Sequence, residues 1–196
     1  MLKSQPLYFS IDSCKPEAVF LISKELSSLI INREKDLQNI IILCIGTDRS
    51  TGDCLGPLVG DKLSKIIKKP YIHIFGTLKE PVHAKNLETK TKDIYSYYNN
   101  PLIIAVDASL GKSENIGKIN IFNGPLFPGA GVNKNLISVG DISITGIVNI
   151  SGFMEYVVLQ STRLSLVMQL ADTISLSIFS ALKNINNKIK YFSENG

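Results

Sequence analysis

By type and spacing, Asp53 and Asp107 are the residues best placed to do chemistry together. Each follows an apolar run. Ile41-Ile42-Leu43-Cys44-Ile45 leads into a loop of small polar residues holding Asp48 and Asp53, and Leu102-Ile103-Ile104-Ala105-Val106 ends on Asp107. In a parallel sheet the carboxyl ends of neighbouring strands open into one crevice. If the two runs are adjacent strands, the two side chains meet there. Two carboxylates at close range cannot both ionise easily, so one keeps a proton near neutrality and the site holds an acid and a base. Such a pair can activate a water against an amide or ester carbonyl, or bind a divalent metal. The ordinary structural reading stands beside this one: Asp53 caps the following helix and Asp107 caps a turn.

Other residues could serve the same crevice. In the turn Asp48-Arg49-Ser50-Thr51, Asp48 can join the carboxylates, Arg49 can hold a substrate carboxylate and Thr51 adds a hydroxyl. The alternative is a set of Asx and Ser turns with Arg49 in solvent. His83 follows the second predicted strand on the same edge and either contacts substrate or caps a helix. Thr145-Gly146-Ile147 and Pro128-Gly129-Ala130-Gly131 read as loops that can line the crevice. Gly46, Gly52 and Gly56 match neither phosphate-binding glycine pattern, and the acidic residues among them would repel phosphate. Cys54 sits near a helix start, where a thiol pKa can fall, but it reads as a small half-buried residue. His73 reads as structural. With two histidines in the chain, a His-rich zinc site is not expected. Arg163, at an unfavourable helix start, calls for an acidic partner such as Glu155 or a ligand.

The elements that must position these residues follow from periodicity. Residues 15–31 read as an amphipathic helix capped by Ser13, with Pro16 in its first turn. Residues 39–46 and 102–107 are continuous apolar runs, the pattern of strands covered on both faces. Helices are predicted over 56–68, 82–98 and Arg163 to about Lys183, and a short strand over Tyr71 to Phe75. After Asp107 comes a break at 108–111, then a strand at 118–122 that pairs antiparallel because its link is too short for a crossover. Residues 124–131 are a loop, and 136–139 and 142–150 are short β segments. This order implies an α/β fold: a three-layer α/β/α sandwich around a mostly parallel sheet. The chain reads as one domain over 1–196, with its N-terminal helix at about 15–31 and its core at about 39–186.

Composition narrows the class. A hydrophobic fraction of 44% with 19% charged residues describes a globular chain and excludes a largely disordered one. The net charge of +4 comes from scattered lysines without a basic stripe, so nucleic acid is not the expected partner. The cysteines Cys14, Cys44 and Cys54 form no C-x-x-C pair, and their odd count favours reduced thiols in the cytoplasm. No uninterrupted apolar stretch reaches the length of a membrane span, so no membrane partner is expected. No cofactor is implied.

Longer motifs carry a resemblance. Ile45-Gly46-Thr47-Asp48-Arg49-Ser50-Thr51-Gly52-Asp53-Cys54-Leu55-Gly56-Pro57-Leu58-Val59-Gly60 resembles the signature of the YyaC family of bacterial sporulation proteins. So do Gly76 to Glu88, Ala105-Val106-Asp107-Ala108-Ser109-Leu110-Gly111, Pro128 to Gly131 and Val139 to Glu155. One departure is Cys54, where the family pattern has Ser. That family is similar to the spore germination protease and, more remotely, to the hydrogenase maturation peptidases. The resemblance implies a phosphorylase/hydrolase-like fold. It also implies catalytic roles for Asp53, in Asp53-Cys54-Leu55-Gly56-Pro57, and for Asp107, in Val106-Asp107-Ala108. The maturation peptidases add a metal held partly by a later His, but no His follows His83 here. The function so implied is a cytoplasmic peptidase of sporulating cells acting on a peptide or small spore protein. A non-catalytic peptide- or protein-binding module is the alternative, and a hydrolase of small amides or esters is a further one.

Overall fold

The computed structural model describes residues 7–33, 38–129 and 137–193, with side chains described as far as 185. Six strands form one sheet: β1 (Leu7–Asp12), β2 (Ile40–Cys44), β3 (Ile72–Phe75), β4 (Leu102–Gly111), β5 (Lys118–Phe122) and β6 (Ile142–Ile150). Their spatial order is β1-β5-β6-β4-β2-β3. The pairs β3/β2, β2/β4 and β4/β6 are parallel, while β5 runs antiparallel to both β6 and β1. The helices are α1 (Ala18–Ile31), α2 (Leu55–Ile66), α3 (Leu87–Tyr97), the short α4 (Glu155–Gln160) and α5 (Leu164–Ser193).

The continuous apolar runs are explained by two cores. Ile40, Ile42 and Cys44 of β2 and Leu102, Ile104 and Val106 of β4 pack with α1, α2 and α5. The alternate residues Ile41 and Leu43, with Ile103 and Ala105, pack on the other face with Leu87 and Ile94 of α3. Successive strand side chains point to opposite faces, so a strand buried on both sides has no polar position to spare. The result is the three-layer α/β/α sandwich with a mostly parallel sheet that the periodicity predicts.

Several local expectations are corrected. β4 does not end at Asp107. It continues to Gly111 because β6 offers a ladder as far as Gly111↔Ile150, with a register shift after Ser109. Ladder hydrogen bonds outweigh the weak strand preference of Ala108, Ser109 and Gly111. The segment Thr145-Gly146-Ile147 is likewise the middle of β6, not a loop. β5 pairs antiparallel as expected, but against β6 and β1. The sequence assigns no element to residues 7–12, which form edge strand β1, and none to α4, which is too short to show a helical period. Ser13 does not cap α1. Glu17 holds the N-cap position without a side-chain bond, and Ser13 Oγ accepts from Gln169 Nε2 at 3.2 Å. α3 starts at Leu87, since Val82 is bridged to Ile45 and the Asn86 side chain closes the turn on the backbone of Pro81 and His83. Of the segment 136–139, Val139 forms an isolated antiparallel bridge to Leu126, and residues 130–136 lie outside the described residues.

α5 runs about ten residues beyond its predicted end. Its stretch Leu164–Ile185 is long and apolar enough to cross a membrane by length and composition, and half of it is buried in this fold. It contains no unbroken apolar run of that length, because Ser, Thr and Gln interrupt the buried stripe of Val167, Leu170, Ala171, Ile174 and Ile178.

Candidate active site

The register Cys44↔Val106 between β2 and β4 sets the site. It brings the loop that follows β2 beside Asp107, one residue further along β4. Three backbone bonds fold that loop back on the sheet: Ile45 N–H to Val106 O at 2.7 Å, Gly46 N–H to Val82 O at 2.8 Å, and Thr47 N–H to Asp53 O at 3.1 Å. Gly46 has φ 147°, and a Cβ there would lie 2.0 Å from the Asp53 carbonyl oxygen. At Gly56 a Cβ would lie 2.0 Å from the Ile45 carbonyl oxygen. These glycines let one backbone pass against another, which is their role in place of a phosphate cradle. Asp53 then sits in a 3-10 turn, Gly52–Cys54, that runs into α2.

Asp53 and Asp107 line the same cleft, which has a volume of about 210 Å³. Thr145, register partner of Asp107 on β6, lines it too, as do Ser109, Phe127 and Gly129. Glu155 and Leu159 of α4 form part of its wall. A larger groove of about 430 Å³ lies against α3 around Phe75, Tyr97 and Tyr98, but it holds neither aspartate.

Electrostatics separate the two carboxyls. Burial pushes the Asp107 carboxyl well above the ordinary carboxylate range. The hydrogen bond from Ala108 N–H to Oδ1, 2.8 Å, opposes this, and the charge of Asp53 raises it further. Burial and the second acid thus both push Asp107 toward its protonated form. It caps no turn, because it stands in the middle of β4.

The remaining candidates divide. Thr145 is buried in the cleft wall. Asp48 and Arg49 are exposed on the loop and stand outside the cleft lining, as does Thr51, whose carbonyl accepts the Cys54 thiol at 2.9 Å. His83 also stands outside it. Its Nδ1 accepts from Lys85 N–H at 3.3 Å and its carbonyl from the start of α3, which is the turn-and-cap role. His73 is structural: its Nε2 lies 3.1 Å from Asn39 Oδ1 and its ring 4.4 Å from that of Tyr98. Burial raises the Cys54 thiol pKa, its backbone bond lowers it, and the charges of Asp53 and Asp48 raise it, so a thiolate is disfavoured. Among the described residues Arg163 makes no ion pair. Glu155 does not reach for it, and its Oε1 accepts from Gly152 N–H at 3.0 Å.

Glu155, Phe127, Ser109 and Leu159 are cleft residues that the sequence did not point to. The one signal was the spacing of Glu155 and Leu159, four apart on one helix face. Among the described residues no group of three or more His, Cys, Asp or Glu side chains is arranged to hold a metal ion. The described lining residues of the cleft include the carboxyls of Asp53, Asp107 and Glu155 and no His.

A mostly parallel sheet between helix layers, with Asp53 in the turn before α2 and Asp107 within the neighbouring strand β4, defines an α/β sandwich with an acidic cleft. The structure is similar to the crystal structure of a [NiFe] hydrogenase maturation protease, HycI from Thermococcus kodakarensis KOD1. The TM-score is 0.54 at 20% identity, covering 80% of this chain and 98% of that one, a likeness of fold. The chain itself belongs to the family described as "Protein of unknown function (DUF1256)", matched over residues 10–177. It is 57% identical over 136 residues to the uncharacterized protein YyaC of Bacillus subtilis (strain 168). That match covers 69% of this chain and 66% of the relative, just under two thirds of its length.

Proposed function

We propose that this protein is a peptidase in which Asp53 and Asp107 activate a water against a peptide bond. The observation that carries this reading is the placement of both acids in one cleft with Asp107 biased toward its protonated form. Asp53 as the carboxylate takes a proton from water while the water oxygen bonds to the carbonyl carbon. Asp107 as the acid donates its proton to the carbonyl oxygen and then accepts one back as that oxygen re-forms its double bond. The proton held by Asp53 goes to the departing amine, which leaves both acids as they began. Thr145, on the strand beside Asp107, positions the carbonyl, while Asp48, Arg49, Thr51 and His83 meet the parts of a peptide that lie beyond the cleft. The family resemblance makes small proteins of the spore the substrates to try first and the cytoplasm of the sporulating cell the place of action.

The test is incubation of the purified protein with small spore proteins and a peptide panel, read by mass spectrometry. Native protein is expected to cleave, and Asp53→Asn and Asp107→Asn to abolish cleavage. Cleavage that survives both substitutions removes the proposed roles. Binding without cleavage by native protein would favour the peptide-binding module instead.

A further inference from the structure

We propose that the apolar lip beside the cleft is a docking surface for an extended polypeptide segment with apolar side chains. This deepens the peptidase reading by naming its substrate class, and rests on that reading only for what happens after binding. Within residues 150–157, Ile150, Phe153, Met154, Tyr156 and Val157 are all exposed, with Phe153 at 90%. Single exposed apolar residues are ordinary, whereas five in eight consecutive positions make a patch that calls for a partner.

The exposure is built in. Met154 has φ 55°, a left-handed conformation that non-glycine residues rarely adopt, and Gly152 has φ 144°. The Glu155 carboxylate ties the turn by accepting from Gly152 N–H at 3.0 Å. Phe153, between them, is therefore held out by a defined backbone.

The lip is continuous with the cleft. Glu155 and Leu159 line the cleft from α4, while Tyr156 and Val157, beside them on the same helix, face solvent. A cleft of about 210 Å³ accepts a side chain or two, below the roughly 300–1,000 Å³ of sites that enclose a whole small ligand. A polypeptide whose backbone reaches Asp53 and Asp107 must continue outside it, and α4 with its flanking turn is one wall of the exit. The one acidic or basic residue within 150–157 is Glu155, already engaged, so the lip selects apolar over charged side chains. Aromatic residues such as Phe153 and Tyr156 are favoured as binding anchors.

The experiment uses full-length Asp107→Asn protein, so that binding is read without cleavage. The probes are two fluorescein-labelled peptides of equal length and charge, one with Leu and Phe at alternate positions and one with Ser and Asn there. Anisotropy is expected to show the apolar peptide binding about tenfold more tightly to this protein than to its Phe153→Ser/Tyr156→Ser derivative. The polar peptide should bind both weakly. Phe153→Leu, which keeps an apolar anchor, should retain most of the affinity, and thermal melts check that every variant folds. Equal affinity of the apolar peptide for parent and lip variant overturns the proposal. So does light scattering in which the lip substitutions split a dimer while peptide affinity is unchanged, because the occupant is then a second copy. If the lip-dependent binding is found but protein with Asp107 intact cleaves nothing, the peptidase reading fails and the docking surface stands. If cleavage is found with the same KM in the lip variant, the converse holds.

Discussion

Asp53, in the turn that follows β2, and Asp107, within the adjacent parallel strand β4, line one cleft, and the charge of Asp53 adds to the burial that raises the Asp107 pKa. The relationship depends on register. Asp107 continues the face of β4 that carries Ile103 and Ala105, and a slip of one residue would turn it to the other core.

The raised pKa of Asp107 has a consequence for stability. Its folded value lies above the ordinary value of 3.8, so the bound proton favours the folded state. That stabilisation is complete below the unfolded pKa and is lost as pH rises through the folded one. Asp107→Asn keeps an oxygen for the Ala108 N–H and has no proton to lose. In urea titrations the variant should gain on native protein as pH rises, by at most about 1.4 kcal/mol per pH unit. A difference that is constant from about pH 4 to about pH 8 would contradict the assignment.

Gly46 is required by close approach, and Gly152 by backbone conformation alone. Gly46→Ala puts a Cβ 2.0 Å from the Asp53 carbonyl oxygen and 2.8 Å from Pro57 Cδ, against backbone that cannot yield. A loss of about 3 kcal/mol or more is expected in denaturant unfolding, together with displacement of Asp53. At Gly152 a Cβ meets nothing within 4 Å, so Gly152→Ala should cost about 1 kcal/mol from its positive φ. Equal costs at the two positions would refute the close-approach argument.

Thiol accessibility separates the cysteines. Cys14 is exposed, whereas Cys44 and Cys54 are buried and burial raises both thiol pKa values. Iodoacetamide at about pH 8 should label Cys14 first, and the other two only after unfolding, as read by peptide mass mapping. Cys54→Ser keeps a donor for the Thr51 carbonyl and should alter stability by less than about 1 kcal/mol and cleavage not at all. Rapid labelling of Cys54 in folded protein would reopen a thiol mechanism.

The strands that carry the acids were legible because both are buried on both faces, which leaves an unbroken apolar run ending in a polar loop. The same logic failed at the sheet's margins. β1 pairs on one side and exposes Tyr8, so it carries no such run. β4 past Val106 is composed of residues that elsewhere make turns, and its partner β6 decides its extension. α4 is six residues long, too short for a period to be counted, yet it supplies a cleft wall and the lip.

The sequence by itself determined the α/β class, the central parallel strands, and Asp53 and Asp107 as the acids that could meet. Burial of a strand or helix face leaves a periodic record in the residues of that element alone. Only the tertiary structure decided the rest: the β2–β4 register that joins the acids, the placement of Asp48, Arg49, Thr51 and His83 outside the cleft, and the entry of Glu155, Phe127 and Leu159 into its wall. Those outcomes are contacts between segments far apart in the chain. No local pattern encodes them, because each is settled by the packing of its partner.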